Sequence, residues 1–209
     1  MIRTDGSVIH NGWENTTAGV GVWYTNGCRK NISLSLTNHG ESVASNARAE
    51  LGAILEALRQ GEYDDLEIEL DSLTSLRAIC SYAEKYENCN WLGVQNADLL
   101  KSILIILRTM PARTAFKWVK GHDDNYGNNE ADELANEGRV SEETLRLDNE
   151  EWVANHTALQ DGAILQALGA KHTYNAVLEW LPKTPLPTKY LEAIKEAKNK
   201  VEEATGLHP

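Results

Sequence analysis

The N-terminal part of the chain predicts a set of short β-strands. Residues 18–24 and 29–36 are strand-like runs, and apolar residues alternate with polar ones in the second run. IRTDGS at 2–7 begins in the same way and ends in a turn. The link TNGC at 25–28 carries the Asn-Gly pair that is typical of a β-hairpin. These runs predict three strands joined in hairpins.

The next part of the chain alternates between helical and strand-like patterns. Residues 44–60 have apolar side chains at the three-and-four spacing of an amphipathic helix, with Gly61 just beyond. Further strands are predicted at 66–71 and 114–120, and further helices at 72–86, 97–110 and 128–138. The order β-β-β-α-β-α-α-β-α predicts an α/β domain with a mixed sheet flanked by helices.

After Arg139 the pattern changes. Helical spacing returns at 159–181 and 189–204, on either side of a proline-rich break. We therefore predict a domain at 1–140 and a helical C-terminal extension at 141–209. We expect the extension to pack on the domain as a clasp, because apolar stripes usually need burial. Partner binding or dimerisation is the alternative.

The charge and composition limit the classes of partner. The net charge is −11, and residues 1–140 carry 13 Lys and Arg against 20 Asp and Glu, which gives −7. This balance argues against a general nucleic-acid binder, which usually has a basic face. The sequence shows no long apolar span and no secretory signal, so we expect an intracellular protein without a membrane partner. Three cysteines without CxxC spacing argue against a zinc ribbon or a disulfide scaffold.

Four carboxylates occupy positions where predicted strands and helices meet: Asp5, Glu50, Asp71 and Asp132. If these ends converge at one edge of the sheet, the carboxylates repel one another unless a cation lies between them. Oxygen ligands of this kind suit Mg²⁺ or Mn²⁺. Two such ions roughly 4 Å apart would activate a water molecule and stabilise the leaving oxygen in phosphodiester cleavage.

Each carboxylate also has a simpler interpretation. Asp71 could be the N-cap of the next helix, and Asp132 could interact with the helix dipole. Glu50 could be a solvated helix residue, and Asp5 with Gly6 could form a turn. The spacing alone does not show that the four side chains meet.

The segment KWVKGHDDNYGNNEADELAN, residues 117–136, places His122 in a polar loop between a predicted strand and an acidic helix. A histidine titrates near neutral pH and can transfer protons. The alternative is a surface histidine without a role.

Four motifs together resemble type 1 ribonuclease H in their order and spacing: TDGS (4–7), SNARAE (45–50), ELDS (69–72) and WVKGHDDNYGNNEADELAN (118–136). The resemblance covers residues 2 to about 139. It implies the ribonuclease H-like fold, with a five-stranded mixed sheet and flanking helices. It also implies endonucleolytic hydrolysis of the RNA strand of RNA/DNA hybrids with two divalent ions, Mg²⁺ or alternatively Mn²⁺.

The resemblance also implies roles for individual residues. It makes Asp5, Glu50, Asp71 and Asp132 the metal-binding catalytic carboxylates, and His122 a loop histidine that assists proton transfer and product release. It implies substrate contacts by Gly6 to an RNA 2′-hydroxyl, by Asn11 to the nucleic acid, by Ser45 to a DNA phosphate, by Asn46 to the DNA strand and by Trp91 in a DNA-binding channel. For Trp91, core packing is an equal alternative.

The chain departs from the family in one respect that affects binding. Many members carry a basic protrusion after the second helix, and here that stretch has Lys85 as its only basic residue. Affinity could come from a tethered partner such as a reverse transcriptase, in cis or in trans. The amino-acid sequences of these motifs are similar to those in ribonuclease H domains of fungal LINE-type retroelements. The alternative function is a non-catalytic hybrid-binding or assembly module domesticated from a retroelement.

Overall fold

The computed structural model describes residues 1–10, 16–36, 44–61, 65–121, 125–146 and 159. Its strands are β1 (Ile2–Ile9), β2 (Thr17–Trp23), β3 (Ile32–Leu36), β4 (Leu66–Leu70) and β5 (Thr114–Trp118). Its helices are α1 (Asn46–Arg59), α2 (Leu73–Cys80), α3 (Ala83–Asn88), α4 (Ala97–Thr109) and α5 (Tyr126–Gly138). The predicted α/β class is confirmed.

The five strands form one mixed sheet in the order β3-β2-β1-β4-β5. The pairs β1–β2 and β2–β3 are antiparallel, whereas β1–β4 and β4–β5 are parallel. The last β1–β4 pair is Thr4 with Leu70. The residues that follow, Asp5 and Asp71, therefore leave the parallel pairing side by side at one edge of the sheet.

Glycines allow α1 and α5 to lie directly on the sheet. A Cβ atom on Gly6 of β1 would be 2.6 Å from the carbonyl carbon of Ala49 in α1. A Cβ atom on Gly21 of β2 would be 2.5 Å from the backbone nitrogen of Ala135 in α5. Because those contacts are with backbone atoms, neither helix could stay at its present distance if these glycines had side chains.

Backbone hydrogen bonds explain two of the differences between the pattern-based predictions and the structure. The predicted helix 72–86 divides into α2 and α3, because the amides of Ser81 and Tyr82 both donate to the Arg77 carbonyl and the helical ladder ends there. The apolar period continues across this break, so the pattern does not reveal it. The predicted hairpin link 25–28 is longer than expected. Two successive turns occupy it, and β3 begins only at Ile32.

The three cysteines, Cys28, Cys80 and Cys89, are free thiols. Among the described residues no helix has the length and apolar character needed to cross a membrane.

The beginning of the predicted extension packs on the domain. The Ser35 amide donates to the Glu143 carbonyl at 2.8 Å, and the Leu145 amide donates to the Ser35 carbonyl at 2.8 Å. This pairing satisfies the backbone groups of Ser35 on the outer edge of β3, which would otherwise be unpaired there. Leu145 is buried in a cluster with residues of β2, β3 and α1, and Leu159 packs against the main core. The clasp by the apolar stripes of the extension stays a prediction. The remaining residues of 147–209 lie outside the described residues.

We expect Leu145→Ala to lower the free energy of unfolding by about 2–3 kcal/mol, because it leaves a cavity beside α1 and β2. Leu145 is 4% exposed, and a Cβ on Gly52 would lie 2.9 Å from its Cδ2 atom. Urea unfolding measures the change. Val140→Ala is the control, since Val140 is 86% exposed and should tolerate the change. Equal stability of both variants would show that the segment adds nothing to the domain.

Candidate metal centre

Three carboxylates meet where β1 and β4 leave their parallel pairing. One oxygen atom from each of Asp5, Glu50 and Asp71 lies within 4.8 Å of the other two. The strand register brings Asp5 and Asp71 together, and the close approach of α1 at Gly6 brings Glu50 to them. The parallel register and one glycine thus build the cluster from elements that are distant in the sequence.

The simpler interpretations of these carboxylates do not describe the structure. Ser72, rather than Asp71, caps α2, since its Oγ accepts a hydrogen bond from the Ser75 amide at 3.3 Å. Asp5 lies inside β1 rather than in a turn. Asp132 lies in the middle of α5, so it is too far along the helix to act as a first-turn dipole partner. Glu50 has a fully buried Oε2 atom without a hydrogen-bond partner, unlike a solvated helix residue.

Burial and mutual repulsion favour the protonated forms of two of these groups. Burial, and next the negative charge of Asp71, raises the pKa of Asp5 to about 7, and Asp132 adds to this effect. The Gly6 amide, which donates to Asp5 Oδ1 at 2.7 Å, opposes the rise. Burial also raises the pKa of Glu50 well above its usual value, and the charges of Asp5 and Asp71 add to it. The cluster is therefore electrostatically unfavourable for the protein alone.

Neighbouring basic side chains are bound to other acids. Arg3 Nε donates to Glu69 Oε2 at 2.8 Å, and Lys117 Nζ donates to Glu69 Oε1 at 2.6 Å. Arg48 of α1 pairs with Asp98 of α4. These ion pairs do not neutralise the three carboxylates.

The donor set fits a divalent cation. All of its ligand atoms are carboxylate oxygens, which Mg²⁺ and Mn²⁺ prefer. The Oε2 atom of Glu50 is a buried polar atom whose exclusion from water is unfavourable unless it gains a partner, and a cation would supply one.

Helix α5 contributes two side chains to the surroundings of the cluster. Asp132 is outside the group of three, although its charge acts on Asp5. Asn128 is 3% exposed, and its Nδ2 donates to Asp71 Oδ2 at 3.4 Å. The sequence pattern alone does not single out Asn128. Its position one helical turn before Asp132 is the signal that would have identified it.

The predicted substrate residues lie in different environments. Asn46 is exposed at the start of α1, and half-buried Ser45 caps that helix by accepting from the Arg48 amide at 3.3 Å. Gly6 is packed beneath α1. Asn11 lies outside the described residues, as does the predicted catalytic His122.

Trp91 belongs to the core, which supports the core-packing alternative and corrects the channel assignment. Its side chain is 6% exposed within the main hydrophobic cluster, and its ring centroid lies 5.8 Å from that of Tyr86. A ring buried to this extent has no free face on which nucleic acid could lie.

Comparison with known proteins agrees with this geometry. The sequence model of the RNase H family matches residues 1–140. Ribonuclease H of Schizosaccharomyces pombe is 34% identical over 142 residues, covering 66% of this chain and 52% of that protein. Ribonuclease H of Orientia tsutsugamushi is 30% identical over 161 residues, covering 71% and 87%. Human Ribonuclease H1 is 26% identical over 149 residues, covering 68% and 51%. The chain spans about half the length of the yeast and human relatives.

Proposed function

This chain belongs to the RNase H family, and from that premise we propose that it is an endonuclease that hydrolyses the RNA strand of RNA/DNA hybrids. The observation that carries the proposal is the partly buried group of three carboxylates, whose ligand oxygens lie within 4.8 Å of one another. The names of its relatives, Ribonuclease H and Ribonuclease H1, support the same reaction and substrate class. The protein thus combines the family's fold with an acidic site suited to a hydrolytic metal centre.

We propose Mg²⁺ as the cofactor, with two ions per site and Mn²⁺ as a substitute. Such ions, when bound, activate water and stabilise the leaving oxygen of a phosphodiester. The protein's part is to hold oxygen ligands in fixed positions, with Asp5 on β1, Glu50 on α1 and Asp71 at the end of β4. In this proposal Asp132 completes the ligand set from α5.

The remaining predicted residues act on substrate and protons in this proposal. His122 transfers a proton near neutral pH and assists product release. Asn11 and Asn46 contact the hybrid, Ser45 holds a DNA phosphate, and the Gly6 backbone approaches an RNA 2′-hydroxyl. The partner that supplies affinity is a reverse transcriptase in cis or in trans, as expected for an intracellular protein of retroelement origin.

The decisive experiment incubates the purified chain with a hybrid whose RNA strand is labelled. We expect cleavage of that strand with Mg²⁺ and with Mn²⁺, and none with chelator, because the carboxylates alone do not activate water. Single-stranded RNA and an RNA duplex are the controls and should stay intact. Cleavage of either control at the same rate would contradict the proposed substrate class.

A second measurement separates the enzyme from the alternative module. If a folded chain does not cleave under either metal but binds the hybrid in a gel-shift assay, the non-catalytic hybrid-binding interpretation is supported. If it neither cleaves nor binds, fusion to a hybrid-binding domain tests whether a tethered partner supplies the missing affinity.

A further inference from the structure

We propose that Trp118 is a positioning residue that holds Asp71 in place for metal binding. This inference rests on the proposed function, because it concerns one ligand of the same site. The indole Nε1 of Trp118 donates to the backbone carbonyl oxygen of Asp71 at 2.9 Å. Trp118 is the last residue of β5, and Asp71 is the first residue beyond β4.

Asp71 has less backbone support than the other two carboxylates of the cluster. Asp5 lies inside β1, where it pairs with Gly21, and Glu50 lies inside α1. Asp71 lies beyond the sheet, because both parallel pairings of β4 end at Leu70. Its carbonyl therefore has no sheet partner, and the Trp118 indole N–H donates the hydrogen bond instead.

The chain that follows Trp118 encloses Asp71 further. The Val119 amide donates to the Leu70 carbonyl at 3.0 Å, which extends the contact between the two strand ends. A Cβ atom on Gly121 would lie 2.6 Å from Asp71 Oδ2, so the backbone at Gly121 lies directly against the carboxylate. Trp118 is thus the first anchor of a segment, 118–121, that fixes both the backbone and the side chain of Asp71.

Hydrophobic burial alone does not explain a tryptophan at this position. Trp118 is 46% exposed, whereas the core tryptophans Trp23 and Trp91 are almost fully buried. The feature that distinguishes Trp118 from a smaller exposed residue is the ring N–H group directed at Asp71. Groups that orient a metal ligand without touching the metal commonly change the affinity of the site for the metal.

The test compares Trp118→Phe, which keeps an aromatic ring and removes the N–H donor, with the wild-type chain. We expect Mn²⁺ affinity, measured by titration calorimetry without substrate, to fall by about 3- to 10-fold, the range of one lost hydrogen bond. The kcat for hybrid cleavage should fall by about the same factor, while the KM for the hybrid stays nearly unchanged and the thermal midpoint falls by about 2–4 °C at most.

Tyr126→Phe is the matched control. Tyr126 is another exposed aromatic residue with a single side-chain hydrogen bond, from its hydroxyl to Asn26 Oδ1 at 3.0 Å, and that bond does not involve Asp71. We expect its Mn²⁺ affinity to match the wild type. If Trp118→Phe folds poorly, replacement of Trp118 by benzothienylalanine removes the same N–H at nearly constant shape.

Calorimetry keeps this inference separate from the proposed function. A wild-type chain that binds Mn²⁺ but does not cleave the hybrid refutes the function, and the affinity comparison still tests Trp118. Wild-type affinity and kcat in the Trp118 variants would overturn the positioning role, as would an equal loss in Tyr126→Phe. A wild-type chain that binds no Mn²⁺ would overturn the metal site and this inference together.

Discussion

Asp71→Asn is expected to lower the rate of hybrid cleavage by about 10³-fold or more while the fold is retained. The amide has the shape of the carboxylate but lacks the charge that holds a divalent cation. The fold should survive because Asp71 neither caps α2 nor pairs with a basic side chain in the described structure. Cleavage of the labelled hybrid under saturating Mg²⁺, together with circular dichroism of both proteins, measures the two effects.

Glu67→Gln is the control for this variant. Glu67 lies on the same strand, β4, and its exposed side chain is remote from the three-carboxylate group. The control should cleave at the wild-type rate, because it loses a similar charge without losing a ligand. Normal cleavage by Asp71→Asn would mean that the roles assigned to the cluster are wrong. An equal loss in both variants would point to net charge rather than to a specific ligand.

The sequence pattern was sufficient for the fold class because burial dictates the periods of strands and helices. The helix α1 is one example: its apolar stripe faces the sheet, and the predicted range 44–60 lies within two residues of the observed bounds. The division between α2 and α3 could not be predicted in this way. It arises where two amides share the Arg77 carbonyl, and no change in hydrophobic period accompanies it.

The site was less predictable from the sequence than the fold class. Period and spacing identified carboxylates at element ends, but each had a simpler interpretation when considered alone. The parallel register Thr4–Leu70 brings Asp5 beside Asp71. The absence of a side chain at Gly6 lets α1 approach β1 closely enough to bring Glu50 to them. Those are tertiary facts, which only the resemblance to a known family anticipated. The same limit explains why Trp91 was left undecided, since an aromatic residue in a polar loop gives no sign of its burial.

The three-carboxylate cluster lowers the stability of the folded protein when no cation is bound. The requirements of cation binding explain why. Ligands for a divalent cation must be close together, partly buried and negatively charged. Without the cation, the same arrangement favours protonation of Asp5 and Glu50. Stability and metal binding should therefore change in opposite directions when one of these charges is removed.

Asp5→Asn tests this relation, and we expect the variant to be more stable than the wild type in chelator at neutral pH. The pKa of Asp5 is about 7 in the folded protein and 3.8 ordinarily. A raised pKa means that the folded state holds its proton more tightly, so the stabilisation is full below about pH 4 and lost as pH rises through about 7. The variant is uncharged throughout. Its advantage should therefore grow over that interval, to roughly 4 kcal/mol at most, and then level off.

Urea unfolding at several pH values, with chelator present, measures this difference. Asp65→Asn is the control with the opposite sign, because hydrogen bonds from Arg113 lower the pKa of the exposed Asp65 carboxyl. That variant should gain nothing as the pH rises. Saturating Mn²⁺ should then stabilise the wild type more than Asp5→Asn and reduce the gap, since only the native cluster binds the ion tightly. A gap that did not depend on pH or on Mn²⁺ would show that repulsion within the cluster does not govern the stability of the domain, and that its carboxylates do not act together on a cation.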